Sequence, residues 1–182
     1  LDSATLRENV VALARNIGYV PRSRRSARAR ISFVVDGLVD TSTLTLNSGI
    51  VCNGVGENTS FIFSIPEDIT IPVNNGVAEF SNIEIYEGSF ITQTFTVDTS
   101  LFNQRYILDN SFIDTSTIKV KVKSSSSATS SVTHKQIDNI VGVTSTSNSY
   151  LLQEIEDERY ELIFGDNVIG KKLSNNNVIT VS

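Results

Sequence analysis

The first apolar positions of the chain recur at helical spacing. Five residues lie on one face of a helix: Leu6, Val10, Leu13, Ala14 and Ile17. Thr5 and Glu8 have the spacing of a capping box, which satisfies backbone N–H groups at a helix start. Gly18 followed by Pro21 is a stop signal. We therefore predict an N-terminal amphipathic helix over residues 1–20. Because so short a helix is marginal in water, its apolar face needs a partner.

From Ala27 the pattern changes to alternation. In "ARARISFVV", Ile31 and Phe33 point to one face and Arg28 and Arg30 to the other, as in a half-buried strand. The same alternation appears in "TIKVKVK", residues 117–123, with apolar residues inward and lysines outward. Outward lysines are a common protection of an exposed sheet edge, so this segment is predicted to be an edge strand.

Turn signals separate the alternating segments. "ITIPVNNGVAEF" predicts a hairpin that turns at residues 74–76, since Asn and Gly tolerate positive φ. "YLLQEI" and "YELIF" predict a second hairpin around the charged "EDER". Another turn is predicted at Gly165-Asp166-Asn167. "SSSSATSSV", residues 124–132, is low in complexity and is predicted to be a flexible loop or linker.

These patterns predict the fold class α+β, mainly β. The N-terminal helix, residues 1–20, leads into an antiparallel β-rich region that divides into two small subdomains. The first covers residues 21–102. The second covers residues 103–182 and carries the Ser-rich loop 124–132. The chain begins without Met and contains none, so we expect it to be a piece of a longer protein.

Charge is segregated along the chain. The net charge is -5, yet residues 1–30 hold seven Arg against two acids. Residues 31–98 hold nine acids and no Lys or Arg, and residues 99–182 are nearly balanced. Nucleic-acid binding domains usually carry a basic face on a basic domain. A basic segment beside an acidic one instead favours contacts between protein surfaces of opposite sign.

Little in the sequence favours an enzyme. One cysteine, Cys52, and one histidine, His134, cannot form the usual Cys/His zinc site. His134 is expected at the surface. Glu154 and Glu158 belong to a cluster of acids, but glycoside hydrolysis needs two carboxyl groups that flank a cleft, one of them with a raised pKa. We predict no catalytic residues, no cofactor and no metal.

The arginine-rich stretch "GYVPRSRRSARAR", residues 18–30, has two interpretations. Arginine clusters bind phosphate, but this one lacks the interleaved aromatic residues on which bases stack. Arginine is also enriched at protein interfaces, where its planar head makes several hydrogen bonds. We predict a protein interface formed by the helix face and the arginines. Its residues are Leu6, Val10, Leu13, Ile17, Arg22, Arg24, Arg25, Arg28 and Arg30.

Four stretches together resemble contractile-tail bacteriophage baseplate wedge proteins, the T4-type gene-six product and baseplate J-like family. They are "LRENVVALARNIGYVPRSRRSARA", "EGSFITQTFTVD", "QRYILDNSFIDTSTIKVKV" and "YELIFGDNVIGKKL", in the expected order between residues 6 and 173. The helix-Gly-Tyr-Val-Pro joint and the Phe-Gly-Asp turn are the most specific signals. Where the family often has Gly-Asp-Gly, this chain has Asn167, which tolerates the same left-handed backbone.

The resemblance implies a virion structural protein without catalytic activity. In that family, paired copies join around the tail baseplate ring and contact other baseplate wedge proteins, after assembly in the host cytoplasm. Nucleic acid and membrane are not expected partners. Two other classes stay open. A carbohydrate-binding or adhesin-type β module of a tail would also lack catalytic residues, although such modules usually display exposed aromatic platforms. A tail-associated hydrolase would need an acid/base pair.

Overall fold

The computed structural model describes residues 9–10, 13–14, 23–56 and 58–182. From residue 23 onward its regular structure consists of thirteen strands and two single 3₁₀ turns. The chain forms two compact units. The small unit is Ser26–Ile91, and the large unit combines the residues up to Arg25 with Thr92–Ser182.

Six strands build the small unit: β1 (Arg28–Val35), β2 (Thr43–Leu46), β3 (Gly49–Gly56), β4 (Thr59–Ile65), β5 (Ile69–Pro72) and β6 (Ala78–Glu87). Four of them form an antiparallel sheet in the order β1-β6-β4-β3, and β2 pairs with β5 in a separate ribbon. Ile65, Phe80 and Ile85 are buried, and Phe33 stacks on Phe80 with ring centroids 4.8 Å apart. The inward apolar residues of β4 and β6 therefore form the core of this unit, with the half-buried Phe33 of β1 packed on them.

Seven strands build the large unit: β7 (Gln93–Thr96), β8 (Tyr106–Leu108), β9 (Val120–Lys123), β10 (Ser131–Gln136), β11 (Ser149–Glu154), β12 (Tyr160–Phe164) and β13 (Val178–Val181). They form one sheet in the order β7-β13-β9-β10-β11-β12-β8, which curls into a near-barrel. Only β10 and β11 are parallel within this sheet. Ten buried residues, among them Val120, Tyr150, Leu162 and Ile179, fill its interior.

The predicted α+β class is wrong, because the fold is all-β. The part of the chain that the structure describes contains no helix of seven or more residues. Most of the predicted helix, residues 1–20, lies outside the described residues; of it, Asn9, Val10, Leu13 and Ala14 are helical. Val10 and Leu13 are each 44% exposed. An amphipathic stripe becomes a fold element only when packing covers it, and these two members of the stripe stay half uncovered.

The local turn predictions are confirmed. Asn75 and Gly76 have φ of 52° and 77°, and Asn74 exchanges two backbone hydrogen bonds with Val77. The hairpin predicted around this turn is wrong, because beyond the bridge between Asn74 and Val77 the flanking strands pair elsewhere: β5 pairs with β2, and β6 pairs with β1 and β4. The hairpin around "EDER" forms as β11 and β12. Asn167 adopts the left-handed backbone, with φ of 72°.

Two predictions about the large unit are corrected. The lysine-bearing strand β9 is not an edge, because it lies between β13 and β10. Its inward residues Val120 and Val122 are buried as predicted. The Ser-rich segment predicted as a loop over residues 124–132 ends sooner, because Ser131 already belongs to β10. It joins two paired strands of one sheet.

The two units do not meet at the predicted subdomain boundary, which lay after residue 102. The small unit ends at Ile91, and residues 92–102 belong to the large unit with β7. The strand β7 pairs with β13 at the far end of the sequence. Its partner is thus more than 80 residues away, and adjacent sequence alone gives no sign of the pairing.

Candidate protein-interaction site

The predicted interface residues are only partly described. Leu6, Ile17 and Arg22 lie outside the described residues. Arg24 and Arg25 belong to the large unit, while Arg28 and Arg30 lie on β1 of the small unit. All four of these arginines are exposed. The two pairs therefore belong to different units.

A hydrogen-bonded anchor positions Arg24 on the large unit. The hydroxyl oxygen of Ser23 accepts hydrogen bonds from the backbone N–H and the hydroxyl of Thr115, at 2.9 and 2.7 Å. Thr115 begins the 3₁₀ turn Thr115–Thr117, in which the N–H of Ser116 donates to the side chain of the capping residue Asp114. Ser23, directly before Arg24, is thus hydrogen-bonded to a turn between β8 and β9, although the two are about 90 residues apart in sequence.

The guanidinium of Arg24 is held between an aromatic ring and a carboxylate. It lies 4.6 Å from the ring centroid of Phe112, and a nitrogen lies 3.7 Å from a carboxylate oxygen of Glu158. Phe112 is 70% exposed and the Arg24 side chain 62%. An exposed cation–π contact contributes about 0.5–1 kcal/mol, and an exposed ion pair about 0–1 kcal/mol. The guanidinium is therefore oriented, while most of its surface still faces solvent.

Unusual backbone geometry presents Glu158 to Arg24. Asp157 and Glu158, at the tip between β11 and β12, have φ of 60° and 56°. Two successive non-glycine residues in the left-handed region are uncommon and cost free energy. Arg159 supports the tip, since its guanidinium lies 3.4 Å from both Asp157 and Asp109. Asp157 and Glu158 thus each bind an arginine of the same unit.

On the small unit, Arg28 and Arg30 face β6. The guanidinium of Arg28 lies 5.0 Å from the ring centroid of Tyr86, which is its cross-strand neighbour. Arg30 is opposite Glu84, whose carboxylate accepts a hydrogen bond of 2.9 Å from the Tyr86 hydroxyl. Cross-strand pairs of this kind contribute about 0.2–1 kcal/mol each. Both arginines therefore form part of an ordered outer face of the sheet.

Sequence reasoning missed the aromatic partners of these arginines. Phe112 follows Arg24 by 88 positions and Tyr86 follows Arg28 by 58, so the pairing depends on the fold. One signal was available for Phe112, an aromatic residue inside the polar segment "DNSFIDTS". Exposed aromatic residues in polar segments commonly mark contact surfaces.

His134 is not at the surface as predicted. It is 6% exposed, and its ring packs edge-on against Phe164 with centroids 5.6 Å apart. Burial lowers the pKa of His134; the nearby carbonyl of Val132, 3.3 Å from Nδ1, opposes this and Lys171 reinforces it. Glu154 is also buried, at 6% exposure. In the described residues no group of three or more His, Cys, Asp or Glu side chains could hold a metal ion.

Comparison with protein-family models and with curated protein sequences found no match to this chain. The resemblance to baseplate wedge proteins therefore stays a hypothesis that no family model or curated relative identifies. Over the residues described, no helix has the length and apolar character needed to cross a membrane.

Proposed function

We propose that this chain is a structural subunit of a phage tail baseplate wedge, which builds the baseplate ring through protein–protein contacts and catalyses no reaction. Its partners are other copies of itself and other baseplate wedge proteins, and its location is the tail baseplate of the virion. The four stretches that resemble the wedge family support this proposal. Three of them fall mainly on β7, β8, β9 and β12, so the resemblance concerns the near-barrel of the large unit above all.

The observation that carries the proposal is the presentation of Arg24. Its guanidinium lies on the exposed ring of Phe112 and keeps most of its own surface in solvent. Arginine and aromatic residues dominate the energetics of protein interfaces. A side chain that is already oriented loses less conformational entropy when a partner binds. The pair therefore has the properties of a preformed contact point for a protein.

The charge distribution supports a partner with an acidic surface. Arg25 adjoins Arg24 and is exposed, and the first 30 residues hold seven arginines against two acids. Electrostatic attraction between such surfaces raises the association rate and weakens with ionic strength. We therefore expect salt-sensitive assembly.

The experiment is light scattering on the chain alone and mixed with the tail proteins of its source, at low and high salt. A defined complex that weakens with salt is the expected result. The charge reversal Arg24→Glu/Arg25→Glu should weaken it by about tenfold or more. The matched control Lys171→Glu/Lys172→Glu makes the same charge change at two exposed lysines of the same unit and should leave binding unchanged. Equal loss in both variants would exclude a specific role of Arg24 and Arg25.

Exposed phenylalanines favour one alternative, a carbohydrate-binding or adhesin-type module. Phe102 is 94% exposed and Phe112 is 70% exposed, both in loops of the large unit. Aromatic rings can stack on the apolar faces of sugars. A glycan array decides between the two functions: specific glycan binding that is lost in Phe102→Ala or Phe112→Ala, without binding to any tail protein, would favour the module.

A further inference from the structure

The four-stranded sheet of the small unit has two open edges. Its order β1-β6-β4-β3 leaves β1 and β3 outermost, and each is eight residues long. In the part of the chain that the structure describes, β1 pairs only with β6 and β3 pairs only with β4. Each edge therefore displays a row of backbone N–H and C=O groups, which is a template for another strand.

The β3 edge lacks the usual protection against such pairing. Between Gly49 and Ile65 the sequence has no Lys, Arg or Pro, and Glu57 is its single charged residue. Ile50, Val55 and Ile62 are 60%, 86% and 40% exposed. By their pairing with β4 they share the outer face of the sheet. An uncharged edge with exposed β-branched residues tends to associate unless a partner covers it.

Two phenylalanines cover two of the three glycines of β3. A Cβ atom at Gly54 would lie 2.9 Å from the ring of Phe63, and one at Gly56 would lie 3.7 Å from the ring of Phe61. Each ring therefore lies over the glycine on the neighbouring strand. Rings placed this way compensate for the missing side chains of glycines at a sheet edge. The end of β3 thus keeps an ordered strand conformation to which a partner strand can pair.

We infer that the small units of successive copies join head to tail, with β1 of one copy pairing with β3 of the next. All neighbours in this sheet are antiparallel, so with four strands its two edge strands run in opposite directions. When a second copy in the same orientation places its β1 next to β3 of the first, the two strands are therefore antiparallel, like all other neighbours in the sheet. This inference rests on the proposed function, because it names another copy as a partner and identifies the surface that partner uses.

Charge favours head-to-tail pairing over two-fold pairing of β3 with itself. Asp68 accepts a hydrogen bond of 2.7 Å from the backbone N–H of Ser48, directly before β3, and Glu57 follows β3 in the sequence. Two-fold pairing would bring acid against acid at both ends. Head-to-tail pairing brings the end of β1 that carries Arg28 and Arg30 to the end of β3 that Glu57 follows in the sequence, and leaves acid against acid at one end only, where Asp36 follows β1. Like charges across an interface suppress association, and opposite charges favour it.

The outer faces of the two edge strands also match. Arg28 and Arg30 lie on the outer face, as do Asn53 and Val55. A register that keeps the faces aligned places Arg28 opposite Val55, where its aliphatic stem covers an apolar side chain. On the inner face it places Ile31 opposite Cys52. Cys52 is the single cysteine of the chain, so it serves as a native probe of this pairing.

The test is thiol crosslinking of two separately tagged forms with a short bis-maleimide reagent, which also spans diagonal neighbours across strands. One form is Ile31→Cys/Cys52→Ser and the other is the wild type. A mixed-tag dimer is expected. Dimers from wild-type chain alone would indicate two-fold β3 pairing and would overturn the inference. Absence of any mixed product from chains that retain a native circular dichroism spectrum would overturn it too.

A second measurement does not depend on substitution in β1. Sedimentation velocity of the wild type should show mass increasing with concentration and decreasing with salt. Val55→Lys places a charge on the exposed edge and should weaken self-association by about tenfold or more. Val39→Lys, at a residue 77% exposed in a loop of the same unit, is the matched control. Equal behaviour of wild type and Val55→Lys would contradict the inference.

The two proposals fail separately. If the chain stays monomeric but binds tail proteins in a manner that requires Arg24 and Arg25, the head-to-tail inference is wrong and the proposed function stands. If the chain self-associates through β1 and β3 but binds none of the tail proteins, the inference stands and the assignment to a baseplate loses its support.

Discussion

The side-chain amide of Gln93 donates a hydrogen bond of 3.0 Å to the backbone carbonyl of Ile107. Gln93 lies on β7 and Ile107 on β8, the two edge strands of the seven-stranded sheet. Next to this link, the rings of Phe95 and Tyr106 meet edge to face at 5.7 Å. Gln104 adds a second link: it donates to the carbonyl of Thr96 and accepts from the N–H of Asp98, both at 2.8 Å. Side-chain amides thus join edges that no backbone ladder connects.

Replacement of Gln93 by Ala should destabilise the large unit by about 1–2 kcal/mol, because it removes this link between the sheet edges and leaves the carbonyl of Ile107 without this donor. Urea denaturation measures the change. Thr94→Ala, at an exposed neighbour on the same strand, should change stability by less than about 0.5 kcal/mol. If Gln93→Ala lowers the free energy of unfolding no more than Thr94→Ala does, the edges β7 and β8 are held together by apolar packing alone.

Substitution of Gly165 by Ala should cost about 3 kcal/mol or more, as a severe steric clash does. An added Cβ would lie 2.1 Å from the backbone carbon of Gly170, where two chain segments cross. The test compares the thermal unfolding temperatures of Gly165→Ala and of the control Gly56→Ala. The second substitution meets only the ring of Phe61 at 3.7 Å and should be tolerated. If Gly165→Ala lowers the stability only slightly, the prediction is wrong, because the turn at Asp166 and Asn167 can then open to accept the added Cβ without loss of stability.

Stability should fall on mild acidification because of His134. Burial lowers its folded-state pKa below the usual value near 6.5, so the unfolded chain binds more protons as the pH falls through this range. The stabilisation present above pH about 6.5 is therefore lost toward the lower folded-state pKa. Urea denaturation at pH 7.5 and 5.0 should show the loss in wild type and a smaller loss in His134→Gln. The carboxylates with lowered pKa, Asp68, Asp98 and Asp166, titrate below this range.

Tyr150 should resist ionisation at alkaline pH. It is 2% exposed, and burial raises its pKa to about 12. Because the fold favours the neutral phenol, stability is full below the unfolded-state pKa near 10 and is lost as the pH rises toward 12. Absorbance titration of the tyrosines should show a late-ionising group that is missing in Tyr150→Phe. If both proteins titrate alike, Tyr150 is accessible to solvent.

The arginine segment shows how far a site can be predicted from sequence. The residue types of the segment indicated a protein contact, and that function stays a proposal. Its geometry could not be predicted, since Ser23 binds Thr115 and Arg24 lies on Phe112 only after the large unit has folded. For the same reason the sequence predicts His134 at the surface: β10 is exposed at most of its positions, and a lone polar residue in such a segment gives no sign that its own side chain is buried against Phe164.

By itself the sequence determined the local conformations. Alternation specified that Val120 and Val122 point inward, and residues that tolerate positive φ specified the turns at Asn75 and Asn167, because both depend on short-range sterics. Only the tertiary structure decided which strands are neighbours: β9 became a central strand, β5 paired with β2, and β7 joined β13. The physical reason is that a strand satisfies its backbone hydrogen bonds with any suitable partner, and packing of the whole core selects among those partners.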